Sequence, residues 1–120
     1  MNAILFFCHG SRDAQWRIPF EQIHTEFRGM HAGKLSELAF LEFMAPDFEA
    51  GVKTLVEQGA TTIRVIPLFL AQGAHTRRDL GDLIEKAQLD HASVRFTVAP
   101  AIGEVDSIRA AIASWVAGQL

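Results

Sequence analysis

Three residues suited to metal and proton chemistry stand 33 positions apart in this sequence: His9, Glu42 and His75. His9 ends an apolar run, residues 3–8, and opens His9-Gly10-Ser11-Arg12; His75 follows a similar run, residues 62–70. Two imidazoles and a carboxylate suit a borderline divalent ion such as cobalt, nickel, iron or zinc. Three candidate ligands leave coordination positions open, as a reactive metal site requires and a structural one does not. An imidazole also titrates near working pH and can take up a proton as a general base. A plainer reading, in which both histidines are hydrogen-bonded loop residues, stands beside this one until the elements that carry them are placed.

The apolar period places them. Residues 3–8 are continuously apolar, as in a strand covered on both faces. Pro19 suits the first turn of a helix, and Phe20, Ile23, Phe27 and Met30 follow at helical spacing. Residues 35–43 read as a second strand. Pro46 and Asp47 open a second helix with Phe48, Val52, Leu55 and Val56 inward, and Gly59 falls just past its end. Residues 62–66 are a third, β-branched strand, closed by Pro67, which cannot donate to a ladder. Thr76 and Asp79 resemble a capping box opening a third helix with the stripe Leu80, Leu83, Ile84 and Ala87. Val94, Phe96 and Val98 alternate as a fourth strand, and Ile108, Ile112, Trp115 and Val116 stripe a last helix.

Strict β-α alternation implies parallel strands joined by right-handed crossovers. The expected fold is therefore α/β: one flavodoxin-like domain over residues 1–120, a four-stranded parallel sheet ordered 2-1-3-4, helices on both faces. Ligands settle in such sheets outside the carboxyl ends of the strands, at the switch point between strands 1 and 3. His9, Glu42 and His75 all fall on that edge, and their even spacing is simply the βα repeat length. This placement favours a shared site over two unrelated loop histidines.

Composition bounds the remaining classes. The chain has 120 residues, a formal net charge of −3 and one cysteine. That suits one core, gives no general case for nucleic acid, and rules out an internal disulfide. No stretch approaches the roughly 20 apolar residues that span a bilayer, and no basic leader opens the chain, so a cytoplasmic protein is expected. There is no G-x-S-x-G elbow, no phosphate-binding G-x-x-x-x-G-K-[ST] loop and no H-E-x-x-H. Cys8-His9-Gly10 also lacks the preceding arginine of a histidine phosphatase.

Neighbouring residues admit two readings each. Strand alternation turns Cys8 away from the side of His9, which favours a core thiol over a ligand. Arg12, Arg77 and Arg78 flank the edge and either hold carboxylates through forked hydrogen bonds or are simply solvated. Trp16 either covers a flat ligand or packs on its own helix. Gly10 and Gly73 would let backbone approach a bulky ligand. His24, His31 and His91 are expected at the surface.

The combination His9-Gly10-Ser11-Arg12-Asp13, Glu37-Leu38-Ala39-Phe40-Leu41-Glu42, Gln58-Gly59-Ala60, Val65-Ile66-Pro67-Leu68-Phe69-Leu70 and Gly73-Ala74-His75-Thr76-Arg77-Arg78-Asp79 resembles the short sirohydrochlorin chelatases of the CbiX type. Ala99-Pro100-Ala101-Ile102-Gly103 extends the match along nearly the whole chain. The resemblance implies insertion of a divalent metal into sirohydrochlorin, commonly cobalt for cobalamin, with iron or nickel in close relatives. It implies no cofactor beyond that metal substrate. By resemblance, His9 is the proton acceptor and a metal ligand, and His75 the second ligand. Substrate contacts fall at Arg12, Ala45, Leu70, Ala71, Gln72, Gly73, Ala74 and Arg77. Glu42 stays open between a third ligand, a proton relay and a substrate contact. Two positions depart from the pattern: Ala45 stands where relatives often carry an acidic residue, and Gly81 where they often carry proline.

The chemistry fits these residues. Insertion removes two pyrrole protons and strips water from the ion without ATP or redox change. A polycarboxylate substrate would give Arg12 and the Arg77–Arg78 pair something to bind. A broad tetrapyrrole needs a wall on each face, so a homodimer through the strand-end edge is expected, with Trp16, Phe43, Met44 and Phe69 as its apolar stock. A non-catalytic metal or tetrapyrrole carrier would use the same residues. No nucleic-acid or membrane partner is expected.

Overall fold

A computed structural model describes residues 1–120. Its strands are β1 (Asn2–Cys8), β2 (Leu35–Phe40), β3 (Thr62–Pro67) and β4 (Arg95–Val98), all parallel and ordered β2-β1-β3-β4. Ala3 lies opposite Leu35 on one side and Ile63 on the other, which fixes the register of the central strand. Helices α1 (Ile18–Met30), α2 (Phe48–Glu57), α3 (Ala74–Asp90) and α4 (Asp106–Ala117) follow the strands in turn.

Two apolar layers explain why β1 has no polar side chain after Asn2. Leu5 and Phe7 point to the face covered by α2 and α3, where they meet Ala39, Phe48, Val52, Leu55, Val65, Leu80 and Ala87. Phe6 and Cys8 point to the α1 face, with Leu38, Phe40, Trp16, Phe20 and Phe27. Strand alternation thus sends each successive residue into a different core. The sequence pattern is met in both order and layering.

Four local expectations need correction. The second strand ends at Phe40 and not at residue 43. Beyond it the N–H groups of Leu41 and Glu42 still donate to Cys8 and His9, at 2.8 and 3.1 Å, but the side chains no longer alternate on a pleat. α3 begins at Ala74 with Gly73 as its N-cap and no side-chain cap. The Arg77 N–H already donates to the Gly73 carbonyl at 3.1 Å, so Thr76 and Asp79 lie inside the helix and form no capping box.

On α1 the inner stripe is Phe20, His24 and Phe27, while Ile23 and Met30 face water. A 3.6-residue period serves either stripe, and the sheet chooses the one that sets Phe27 against Phe6. His24 is therefore half-buried and not a surface residue. The fourth correction is α4: it forms as expected, but none of its residues is buried and it covers neither face of the sheet.

Candidate functional site

The strand-end edge is assembled by backbone hydrogen bonds that run past the strands. The Leu68 N–H donates to the Phe7 carbonyl at 2.8 Å, and the Glu42 N–H donates to the carbonyl of His9 itself. Both loops that flank the switch point are thereby tied to the end of β1. Gly10 adopts φ +90°, and a Cβ there would stand 1.9 Å from the Glu42 carbonyl oxygen. Only glycine lets these two loops touch, and its cost in chain entropy is the condition of that approach.

His9 is exposed, and its ring rests on Phe69, centroids 4.7 Å apart and planes at 46°. Phe69 is buried and packs edge-on against Phe7, 6.0 Å between centroids. The imidazole thus has an apolar floor on one side and solvent on the other. The next loop is clamped from behind: the Gly103 N–H donates to the Phe69 carbonyl at 3.1 Å, and a Cβ on Gly103 would meet the Leu70 carbonyl oxygen at 1.5 Å. Leu70 is left 65% exposed at the rim. His75 follows in the first turn of α3, exposed, on the same strand-end edge as His9.

No three His, Cys, Asp or Glu side chains come together as a metal-holding group. Glu42 is tied in by its backbone while its side chain faces solvent. Cys8 is fully buried, and burial pushes its thiol up to about 12 against the weaker pull of Arg17. It is a core residue, not a thiolate ligand.

Arginine surrounds the edge. The Arg12 guanidinium lies 4.7 Å over the ring of Phe43, an exposed residue at φ 66°. Arg12, Arg77 and Arg78 are exposed and make no ion pair with the chain's own carboxylates. Sequence reasoning missed Arg17, which stacks 4.8 Å over Phe40 and donates from Nη1 to the Ala45 carbonyl at 3.2 Å. It holds the loop that carries Ala45, whose bond to Pro46 is cis. The apolar stock expected at this edge is also different. Phe69 is buried, and Trp16 and Met44 pack into the α1-side core, which leaves Phe43 and Leu70 outward.

A family model of CbiX matches residues 3–118. The chain belongs to the CbiX family. Among individual CbiX-like relatives, a sirohydrochlorin cobaltochelatase of Sulfurisphaera tokodaii is 31% identical over 103 residues, 86% of this chain and 81% of that protein. A sirohydrochlorin ferrochelatase of Priestia megaterium is 34% identical over 86 residues, 72% of this chain. The chain spans about a third of the length of such ferrochelatases, 32% for P. megaterium and 39% for Bacillus subtilis. In three dimensions a CbiX protein from Marinobacter aquaeolei VT8 superimposes with TM-score 0.88 at 29% identity, covering 99% of this chain and 97% of that one. The sirohydrochlorin chelatase SirB of B. subtilis subspecies spizizenii, solved with cobalt, gives TM-score 0.83 at 30% identity, over 94% of this chain and 48% of that one.

Proposed function

We propose that this chain inserts a divalent metal, cobalt by preference, into sirohydrochlorin, in cobalamin synthesis. The reading rests on one conjunction: His9, just after β1, and His75, in the first turn of α3 after β3, share the strand-end edge in a chain that matches the CbiX family over residues 3–118. The domain is the whole of residues 1–120, and a cytoplasmic setting accords with a single, buried cysteine. No helix is long and apolar enough to cross a membrane.

In this reading His9 and His75 present imidazole nitrogens to the incoming ion and leave its remaining positions for water and then for pyrrole nitrogens. Two N–H protons leave the ring as the metal enters, and His9 accepts one of them. Its face on Phe69 limits how the ring can turn, while its free edge reaches solvent for proton release. Glu42 serves as a relay or substrate contact at the same edge. Arg12 and Arg77 bind substrate carboxylates, and the backbone of Leu70, Ala71, Gln72, Gly73 and Ala74 lies along the macrocycle with Ala45 opposite. A second copy of the chain supplies the other wall.

The test is direct. Protein, sirohydrochlorin and cobalt should give the metallated spectrum faster than the same mixture without protein, over many turnovers. No acceleration with cobalt, iron or nickel overturns the reading, and a single-turnover plateau makes the protein a carrier. Iron is the second reading, favoured by the relatives named ferrochelatase and by SirB solved with Fe3+. Competition between the two ions under anaerobic conditions decides it, because affinity order alone does not set selectivity.

A further inference from the structure

Phe43 stands outward at the strand-end edge in a backbone conformation that a bulky side chain disfavours. Its φ is 66°, in the left-handed region, and the residue is 57% exposed. An aromatic ring placed there adds little to the core and costs backbone strain. Such a position persists only where the surrounding structure over-determines it.

The surroundings do so from both sides. Before Phe43, the Glu42 N–H donates to the His9 carbonyl at 3.1 Å, and Gly10 crowds the Glu42 carbonyl. After it, Met44 turns into the α1-side core and Arg17 Nη1 donates to the Ala45 carbonyl. The Phe40 N–H then closes the loop by donating to the Pro46 carbonyl at 2.9 Å. With its neighbours pinned, Phe43 is held facing water.

What it faces is the proposed site. The order β2-β1-β3 sets the loop of Phe43 and the loop of Leu70 on opposite sides of the loop opened by His9. Both side chains are exposed, so an apolar arm flanks the imidazole on each side. The arm at Phe43 also carries a charge. The Arg12 guanidinium lies 4.7 Å over its ring and pairs with no carboxylate of the chain. That contact takes only part of the ring, since Phe43 stays more than half exposed.

We propose that Phe43 is a substrate-binding residue, whose free ring surface stacks on the conjugated face of the macrocycle while the same ring aims Arg12 at a carboxylate on the macrocycle's rim. This rests on the sirohydrochlorin reading and names the group that recognises the face of that substrate. A π-face bordered by carboxylates is the chemistry that satisfies both halves of the pair. A simple anion would engage Arg12 and leave the ring wet; an uncharged aromatic would cover the ring and leave Arg12 unpaired. An aliphatic residue at position 43 would exclude water, yet offer neither a flat stacking surface nor a quadrupole for the guanidinium. The pair therefore selects flat polycarboxylates.

Titration of metal-free sirohydrochlorin into the full chain, read by its absorption and fluorescence, tests this without metal insertion. Phe43→Ala should raise Kd by about 10-fold or more, as loss of an aromatic stacking face does. Its melting temperature should stay within a few degrees of wild type, as at other exposed positions, and its sedimentation should be unchanged. Phe43→Trp, which keeps a flat face, should bind like wild type. Arg12→Gln should also weaken binding, and the two losses should overlap in the double variant, because the ring acts partly through Arg12. If Phe43→Ala fails to fold, Phe43→Leu carries the same test.

Unchanged Kd in the variant lacking the ring overturns the proposal. So does a loss of binding that comes only with altered sedimentation, which would make Phe43 a contact between copies, or strictly multiplicative losses with Arg12→Gln. A wild-type chain that binds no sirohydrochlorin sinks the chelatase reading itself, whereas wild-type binding that ignores Phe43 sinks this inference alone.

Discussion

The imidazole of His9 is seated on the ring of Phe69, 4.7 Å between centroids, and Phe69 is itself wedged edge-on against Phe7 of the central strand. A solvent-facing imidazole is thus oriented by a residue of the core. Phe69→Leu keeps most of the buried volume and should cost less than about 1.5 kcal/mol of stability. It removes the flat floor under His9, so kcat for metal insertion should fall with KM for sirohydrochlorin nearly unchanged. An unchanged kcat would reduce Phe69 to a packing residue.

The histidines themselves should separate activity from stability. His9 and His75 are both exposed, and surface changes usually shift stability by about 0.5 kcal/mol or less, with up to about 1 kcal/mol more for the aromatic contact of His9. His9→Ala is therefore expected to retain its melting temperature within a few degrees and to lose chelatase rate by roughly 100-fold or more. His75→Ala should weaken cobalt binding in calorimetry with the same mild effect on melting. Unfolding of both variants with metal affinity intact would return them to the role of loop residues.

Much of this was legible in the sequence because period and order depend on local physics. Alternation along β1, the Pro46–Asp47 start of α2 and the βα repeat dictate the sheet order and bring His9 and His75 to one edge. What escaped is what depends on tertiary contact. Phe69 reads as one more apolar residue of a run, and nothing in the spacing says that it lies beneath His9. Arg17 reads as a solvated helix residue, yet it clamps the Ala45 carbonyl. The stripe on α4 was plain, but a stripe states that a face is to be covered and not which sheet covers it.

Gly10 gives a sharper structural test. Its φ of +90° and the 1.9 Å that would separate an added Cβ from the Glu42 carbonyl oxygen leave no room for a side chain. Gly10→Ala should destabilise by about 2 kcal/mol or more, from combined strain and collision with backbone that cannot swing away. Thermal melting should drop by roughly 8 °C or more. Gly73→Ala, with open space around its Cβ position and extended backbone, is the contrast and should melt near wild type. Equal behaviour of the two would show that the Gly10–Glu42 approach is not a constraint of the fold.

His24 should give the protein a measurable dependence on pH. Its Nε2 lies 2.8 Å from Ser36 Oγ and its ring 5.4 Å from Phe6. Burial holds it below the ordinary histidine value, Arg28 pushes the same way, and Glu37 and the Ser36 contact oppose them more weakly. A lowered folded-state value means that the unfolded chain binds more protons in the window below about 6.5, so stability rises with pH there. The contribution is complete above that window and is lost as pH falls through the folded-state value. Denaturant midpoints should therefore decline from pH 7 to pH 5. His24→Gln, which keeps a hydrogen-bonding group near Ser36 but does not titrate, should flatten that slope. An unaltered slope in the variant would move the pH dependence to other groups.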